Sequence, residues 1–160
     1  MTLEVRESIS TQHGKDAMLP TVRQVLHKKG HGVFTIAPDE TVFDALDRMA
    51  AYNVGGLVVS ESGRVVGIFT ERDYARKLAL LGHRSKDVKV SEVMSSPVLH
   101  VVPSQSVVEC MALMTERRVR HLPVIEGERL IGIVSIGDVV KSIISGQAFM
   151  IDQLEHYISS

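Results

Sequence analysis

The sequence predicts an α/β fold of the α+β kind, in which one strand-helix-strand-strand-helix unit is built twice and the two copies are packed as a pseudo-symmetric pair. Three observations carry that expectation. The stretch Gly67-Ile68-Phe69-Thr70-Glu71-Arg72-Asp73 recurs as Gly132-Ile133-Val134-Ser135-Ile136-Gly137-Asp138, an offset of 65 residues. From Thr35 to Ala75 against His100 to Val140 the copies align without insertion, and eleven of 41 positions are identical: Pro38, Val42, Met49, Val54, Leu57, Val59, Glu61, Arg64, Gly67, Ile68 and Asp73. In each copy the apolar spacing switches between strand-like runs and helical periods in the same order.

The elements follow along the chain. Residues 1–20 show no clear period and end at Pro20, so they are expected as a lead-in. Thr21 to Lys29 has Val22, Val25 and Leu26 at helical spacing and stops at Gly30; Val90 to Met94 is its counterpart, once a three-residue gap is allowed. Strands are expected at Val33 to Ile36 and at Val98 to Val102, closed by Pro38 and Pro103. Thr41-x-x-Asp44 and Ser106-x-x-Glu109 are capping signatures for helices that place Val42, Ala45, Leu46 and Met49, or Val107, Cys110, Met111 and Met114, on one face. Leu57 to Val59 with Val65 to Phe69, and Leu122 to Ile125 with Leu130 to Val134, read as strand pairs turning at Gly63 and Gly127. A second helix follows in each copy, with Tyr74, Leu78 and Leu81 on one face or Val139, Val140, Ile143 and Ile144. Gln147 to Ile158 reads as a final helix. The boundaries expected are a lead-in at 1–20, repeats at 21–85 and 86–146, and a C-terminal helix at 147–160.

With 160 residues the chain can bury a real core, and 44% hydrophobic with 23% charged residues is ordinary for a globular protein. A formal net charge of -1 argues against a nucleic-acid surface. No stretch approaches the ~20 apolar residues of a membrane span, so a cytoplasmic protein is expected. Cys110 has no partner cysteine, and Gly30 interrupts the helix that would align His27 with His31, so no metal site is expected. Core packing accounts for the methionines.

The repeated stretch carries the chemistry. An apolar strand runs into a turn that opens a helix, with a hydroxyl residue first and an aspartate three positions later. Helix N-termini attract phosphate and a carboxylate accepts from sugar hydroxyls, which suits a nucleotide. Thr70-x-x-Asp73 and Ser135-x-x-Asp138 are equally capping-box signatures that need no ligand.

Two copies of Gly-h-h-Thr/Ser-x-x-Asp after a hairpin, with a Met94-Ser95-x-Pro97 lead-in, resemble a tandem pair of cystathionine-β-synthase (CBS) domains over about Val22 to Ser145. The resemblance implies a Bateman module, a regulatory sensor that takes adenosine-containing ligands in the clefts between repeats. It makes Asp73 and Asp138 ribose ligands and Thr70 and Ser135 phosphate ligands. It places Lys29, Val33 and Phe34 of one copy, and Met94, Ser95 and Val98 of the other, around the adenine. The start of the second strand completes the set, where the copies diverge: Gly55 and Gly56 against Arg120, His121 and Pro123. Arg72 and Arg76 against Gly137 and Lys141 extend that asymmetry, and two unequal sites are expected.

The leading expectation is a sensor of AMP, ADP or ATP, or of a dinucleotide such as NAD(H), with no chemistry of its own, which signals through conformation or oligomer contacts to a regulated protein. A homodimer is expected, with Tyr74, Leu78, Leu81, Leu154 and Ile158 as candidate interface positions. Two other readings stay open: a structural dimerisation module whose Thr/Asp pairs are only caps, and an enzyme using a dinucleotide. The last lacks a Gly-x-Gly-x-x-Gly turn and any nucleophile-base pair.

Overall fold

The computed structural model describes residues 19–96 and 98–159; most of the expected lead-in, 1–18, and Pro97 of the lead-in signature lie outside the described residues. The chain forms two compact units. The first holds Gly32–Leu99 with Gly127–Leu130; the second holds the described residues up to His31, then His100–Glu126 and Ile131 onward.

In the first unit, β1 (Thr35–Ile36) pairs in parallel with β2 (Gly56–Glu61), and β2 pairs antiparallel with β3 (Arg64–Thr70), with a bulge between Val59 and Ser60. The sheet order is β1-β2-β3, so β2 is central, and Gly56 to Val59 are all buried. The β2–β3 turn needs positive φ at both Ser62 (51°) and Gly63 (77°), which is where the sequence places its glycine. Helix α2 (Val42–Tyr52) starts in a complete capping box between Thr41 and Asp44 and ends on Asn53 in the left-handed region. Its face of Val42, Ala45 and Met49 packs with Ile36, Leu57, Val59, Phe69 and Leu78 into one core. After β3, one turn of α-helix (α3, Glu71–Asp73) widens into a π-helix at Tyr74–Ala79, with Leu80 N–H reaching back five residues to the Ala75 carbonyl. Leu78 is fully buried there, so it is a core residue and not the interface position expected of it, while Leu81 is exposed.

In the second unit, α5 (Val107–Arg117) is capped by Ser106 and buries Val107, Cys110 and Met114. Strands β4 (His121–Glu126) and β5 (Arg129–Ser135) form a two-stranded sheet. The strand expected at Val98 to Val102 is reduced to one parallel bridge, Val101 with Val124. Pro123 of β4 stands where the first copy has Val58, whose N–H donates to the Phe34 carbonyl at 3.3 Å, and has no N–H to pair with this strand; Val102 N–H then ends it by donating to the Gln105 side chain at 2.8 Å. The first copy ends its strand alike, with Ala37 N–H on the Glu40 carboxylate at 2.8 Å before Pro38. The tail is helical as expected, but it is not a separate helix: α6 runs unbroken from Ile136 to Ser159. Gly146 costs such a helix roughly 1 kcal/mol without ending it.

The short helices that introduce the copies are exchanged. Helix α1 (Val22–Lys29), which precedes the first copy, belongs to the second unit, where Val22 and Arg23 N–H donate to the Gln105 and Pro103 carbonyls. Helix α4 (Val90–Val93), which precedes the second copy, belongs to the first unit, where Val90 and Ser91 donate to the equivalent Glu40 and Pro38. The repeated glycines make room for side chains of these two lead-in segments: a Cβ on Gly67 would lie 2.5 Å from Met94 Sδ, and one on Gly132 would lie 2.5 Å from Leu26 Cδ2.

Candidate functional site

Each unit carries one motif carboxylate. In the first, β3 delivers Thr70 to the start of α3, where its hydroxyl accepts from Asp73 N–H at 3.3 Å and its own N–H donates to Asp73 Oδ2 at 3.0 Å. The capping box is therefore formed. Two further groups converge on Oδ1 of the same carboxylate, which is buried: Ser95 Oγ donates at 2.9 Å, and Lys77 Nζ lies at 3.2 Å while also donating to the Val93 carbonyl at 2.9 Å. Ser95 is held in place by backbone bonds to and from Ile68 on β3.

In the second unit, Ser135 and Asp138 cap each other in the same way, at 3.2 and 2.9 Å. Lys29, the last residue of α1, donates to Asp138 Oδ2 at 2.6 Å and to the Ile133 carbonyl at 2.9 Å. Burial opposes the charged form of Asp138 and is the largest single influence on it. The Lys29 hydrogen bond, the Ser135 N–H and the Lys29 charge together outweigh burial, so the Asp138 carboxyl sits below the ordinary aspartate value.

The two centres thus share a cap and a lysine, but the lysine reaches Asp73 from its own helix and Asp138 from α1. The first contact of each motif helix is also repeated: Glu71 N–H donates to the Gly55 carbonyl at 3.1 Å, and Ile136 N–H donates to the Arg120 carbonyl at 2.8 Å.

A model of the CBS domain matches residues 22–80 and 90–145. The chain belongs to the CBS-domain family. It is 39% identical to the mitochondrial CBS domain-containing protein CBSX3 of Arabidopsis thaliana, covering 86% of this chain and 71% of that one. The CBS-domain protein YhcV of Bacillus subtilis is 34% identical, over 72% of this chain and 82% of its own. Among solved structures, a CBS protein from Burkholderia ambifaria given a provisional signal-transduction role matches with a TM-score of 0.76 at 48% identity, covering 79% of this chain and 95% of that one. The pair of CBS copies and the α+β fold read from the sequence are those of these relatives.

Around the motif centres of this CBS pair, the structure places the remaining expected residues unit by unit. In the first unit, Gly56 is buried and pairs with Thr70 across β2–β3, Met94 lies against Gly67, and Val98 is buried. Val33 is half-buried, and Phe34 stacks on Tyr52 with ring centroids 3.8 Å apart. Arg72 and Arg76 are exposed on the motif helix. In the second unit, Arg120 is exposed and His121 half-buried at the start of β4, Pro123 is buried with its carbonyl accepting from Val101 N–H, and Gly137 is exposed. Lys77 was missed by sequence reasoning, although its position four residues after Asp73 on one helix is a readable signal. Among the described residues, no group of three histidines, cysteines or acids could hold a metal, and no helix is long and apolar enough to cross a membrane.

Proposed function

We propose that this CBS pair is a regulatory sensor of adenosyl ligands, AMP, ADP, ATP or a dinucleotide such as NAD(H), which acts by binding and carries no chemistry of its own. The observation that supports it is the crowding of Asp73 and Asp138. A helix cap requires one hydroxyl and one carboxylate oxygen; it does not require the further groups found here, Lys77 and Ser95 on Asp73 and Lys29 on Asp138. Such a carboxylate is held in orientation, ready to accept from ribose hydroxyls, and each lysine supplies positive charge beside the place where a phosphate would lie. Asp73 takes partners on both oxygens, whereas the bonds Asp138 receives from Lys29 and Ser135 fall on Oδ2 alone. We therefore assign the readier ribose site to Asp138.

The CBS pair of MJ0100, whose crystal structure contains 5′-methylthioadenosine and S-adenosyl-L-methionine, shares the fold at 22% identity and a TM-score of 0.69. The ligand class for this chain rests on its own motif residues. The protein is proposed to work in the cytoplasm as a homodimer that passes its state to a regulated protein.

The complete capping boxes favour a second reading, a structural module with no ligand. Calorimetric titration with adenosine, AMP, ATP and NADH separates the two. Saturable binding that Asp138→Ala weakens supports the sensor; no binding by the folded protein to any of the four supports the module.

A further inference from the structure

Helix α6 carries a seam of apolar positions on either side of Gln147. Val140, Ile144, Ile151, Leu154 and Ile158 are separated by 4, 7, 3 and 4 residues and are 39%, 60%, 57%, 57% and 81% exposed. At 100° per residue they fall within a stripe of about 80°. Steps of three, four and seven are the spacing of a helix that packs on another helix of the same period. The side of α6 that packs within its own unit is different: Val139, fully buried, lies about 100° away from Val140.

The charges beside the seam specify the partner. With Ile144, Ile151 and Ile158 as one seam position and Val140 and Leu154 as the other, Lys141 and Glu155 occupy the same flanking position, 14 residues apart. Run the helix antiparallel to a second copy of itself, centred near residue 149, and Val140 meets Ile158, Ile144 meets Leu154, and Ile151 meets Gln147 at the middle of the seam. The same register sets Lys141 opposite Glu155 at both ends, and Met150 opposite Met150 near the two-fold axis. A parallel pairing would instead stack each residue on its own copy and would not bring Lys141 to Glu155. We propose that α6 is a dimerisation helix whose partner is α6 of a second copy, antiparallel and in this register. The proposal rests on the homodimer reading and deepens it by naming its surface and direction.

The test uses the full chain. Light scattering should give a dimer for the native protein and a monomer for Ile151→Glu with Leu154→Glu, with the circular dichroism of the fold retained because both positions are exposed. Lys141→Glu should weaken the dimer at least several-fold, and adding Glu155→Lys should restore it. Cys110 is fully buried, so an introduced cysteine reports alone. Met150→Cys should cross-link to its copy with a short bismaleimide, and Ile158→Cys, about 27 Å from its copy in this register, should not. A native monomer overturns dimerisation altogether. A dimer that survives the double glutamate variant leaves the homodimer reading standing and removes the seam, and cross-linking through Ile158→Cys but not Met150→Cys overturns the antiparallel direction.

Discussion

Lys29 Nζ donates to Asp138 Oδ2 at 2.6 Å, and the lysine comes from a helix 109 residues earlier in the chain. The pair is a third exposed on the lysine side, so solvent screening limits its worth. Lys29→Met should cost the second unit no more than about 1 kcal/mol in denaturant unfolding. In the same variant the Asp138 carboxyl should return toward the ordinary aspartate value, read by carboxyl-carbon NMR titration. An Asp138 titration identical in variant and parent would show that Lys29 does not set it.

Acid sensitivity follows from the same contact. Because the folded-state pKa of Asp138 is depressed, its stabilising contribution is complete above the unfolded value near 4 and is lost as pH falls through the lower folded value. His100 adds a loss of the same sign that begins higher, below about pH 6.5, since burial lowers its pKa and the unfolded chain takes up its proton first. Melting temperatures from pH 7 down to 3 should therefore fall in two stages. Replacing His100 by glutamine should flatten the upper one and leave the lower one intact.

The repeated glycines give unequal costs. An added methyl at Gly132 meets Leu26, which is fully buried and branched, whereas at Gly67 it meets Met94, which is flexible and half-buried. Gly132→Ala is expected to destabilise by about 1 to 3 kcal/mol, the usual range for overpacking, and Gly67→Ala by less. Chemical unfolding of the two variants decides it, and equal losses would show that Met94 has no more room to move than Leu26.

For the ligand, Asp138→Ala should weaken adenosine and AMP binding at one site by about 1.5 to 3 kcal/mol, roughly ten- to 150-fold, the range for losing a charged acceptor. Asp73→Ala should have a smaller effect on binding, since both oxygens of that carboxylate already have partners within the unit. Calorimetry of the two variants side by side is the measurement, and a larger loss for Asp73→Ala would reverse the assignment of the readier site.

Most of the fold was legible because it is written twice. Thr41 and Ser106, Gly63 and Gly127, and the apolar faces of α2 and α5 follow from local rules, and each copy checks the other. The first strand of the second copy was overestimated because Val98 to Val102 has the apolar content of a strand, while the pairing is lost on the partner strand, where Pro123 stands in the place of Val58 and offers no N–H. Leu78 was misjudged because helical spacing fixes a face without saying what covers it, and a π-helical stretch shifts that face. The motif pairs Thr70–Asp73 and Ser135–Asp138 were readable at a spacing of three. Ser95 on Asp73 and Lys29 on Asp138 were placed at the sites only by family likeness, and their partners depend on which unit each lead-in joins, which no local pattern records.

That exchange also sets an order of events during synthesis. Helix α1 emerges from the ribosome before the rest of its unit, which is not complete until α6 has been made. At 5 to 20 residues per second, about 6 to 23 s separate His31 from Ser145, and through that interval Val22, Val25 and Leu26 have no core to enter. The earlier part of the chain can meanwhile close around α2 and α4, so a nascent protein stalled near its middle would hold one folded unit and one sticky, waiting helix.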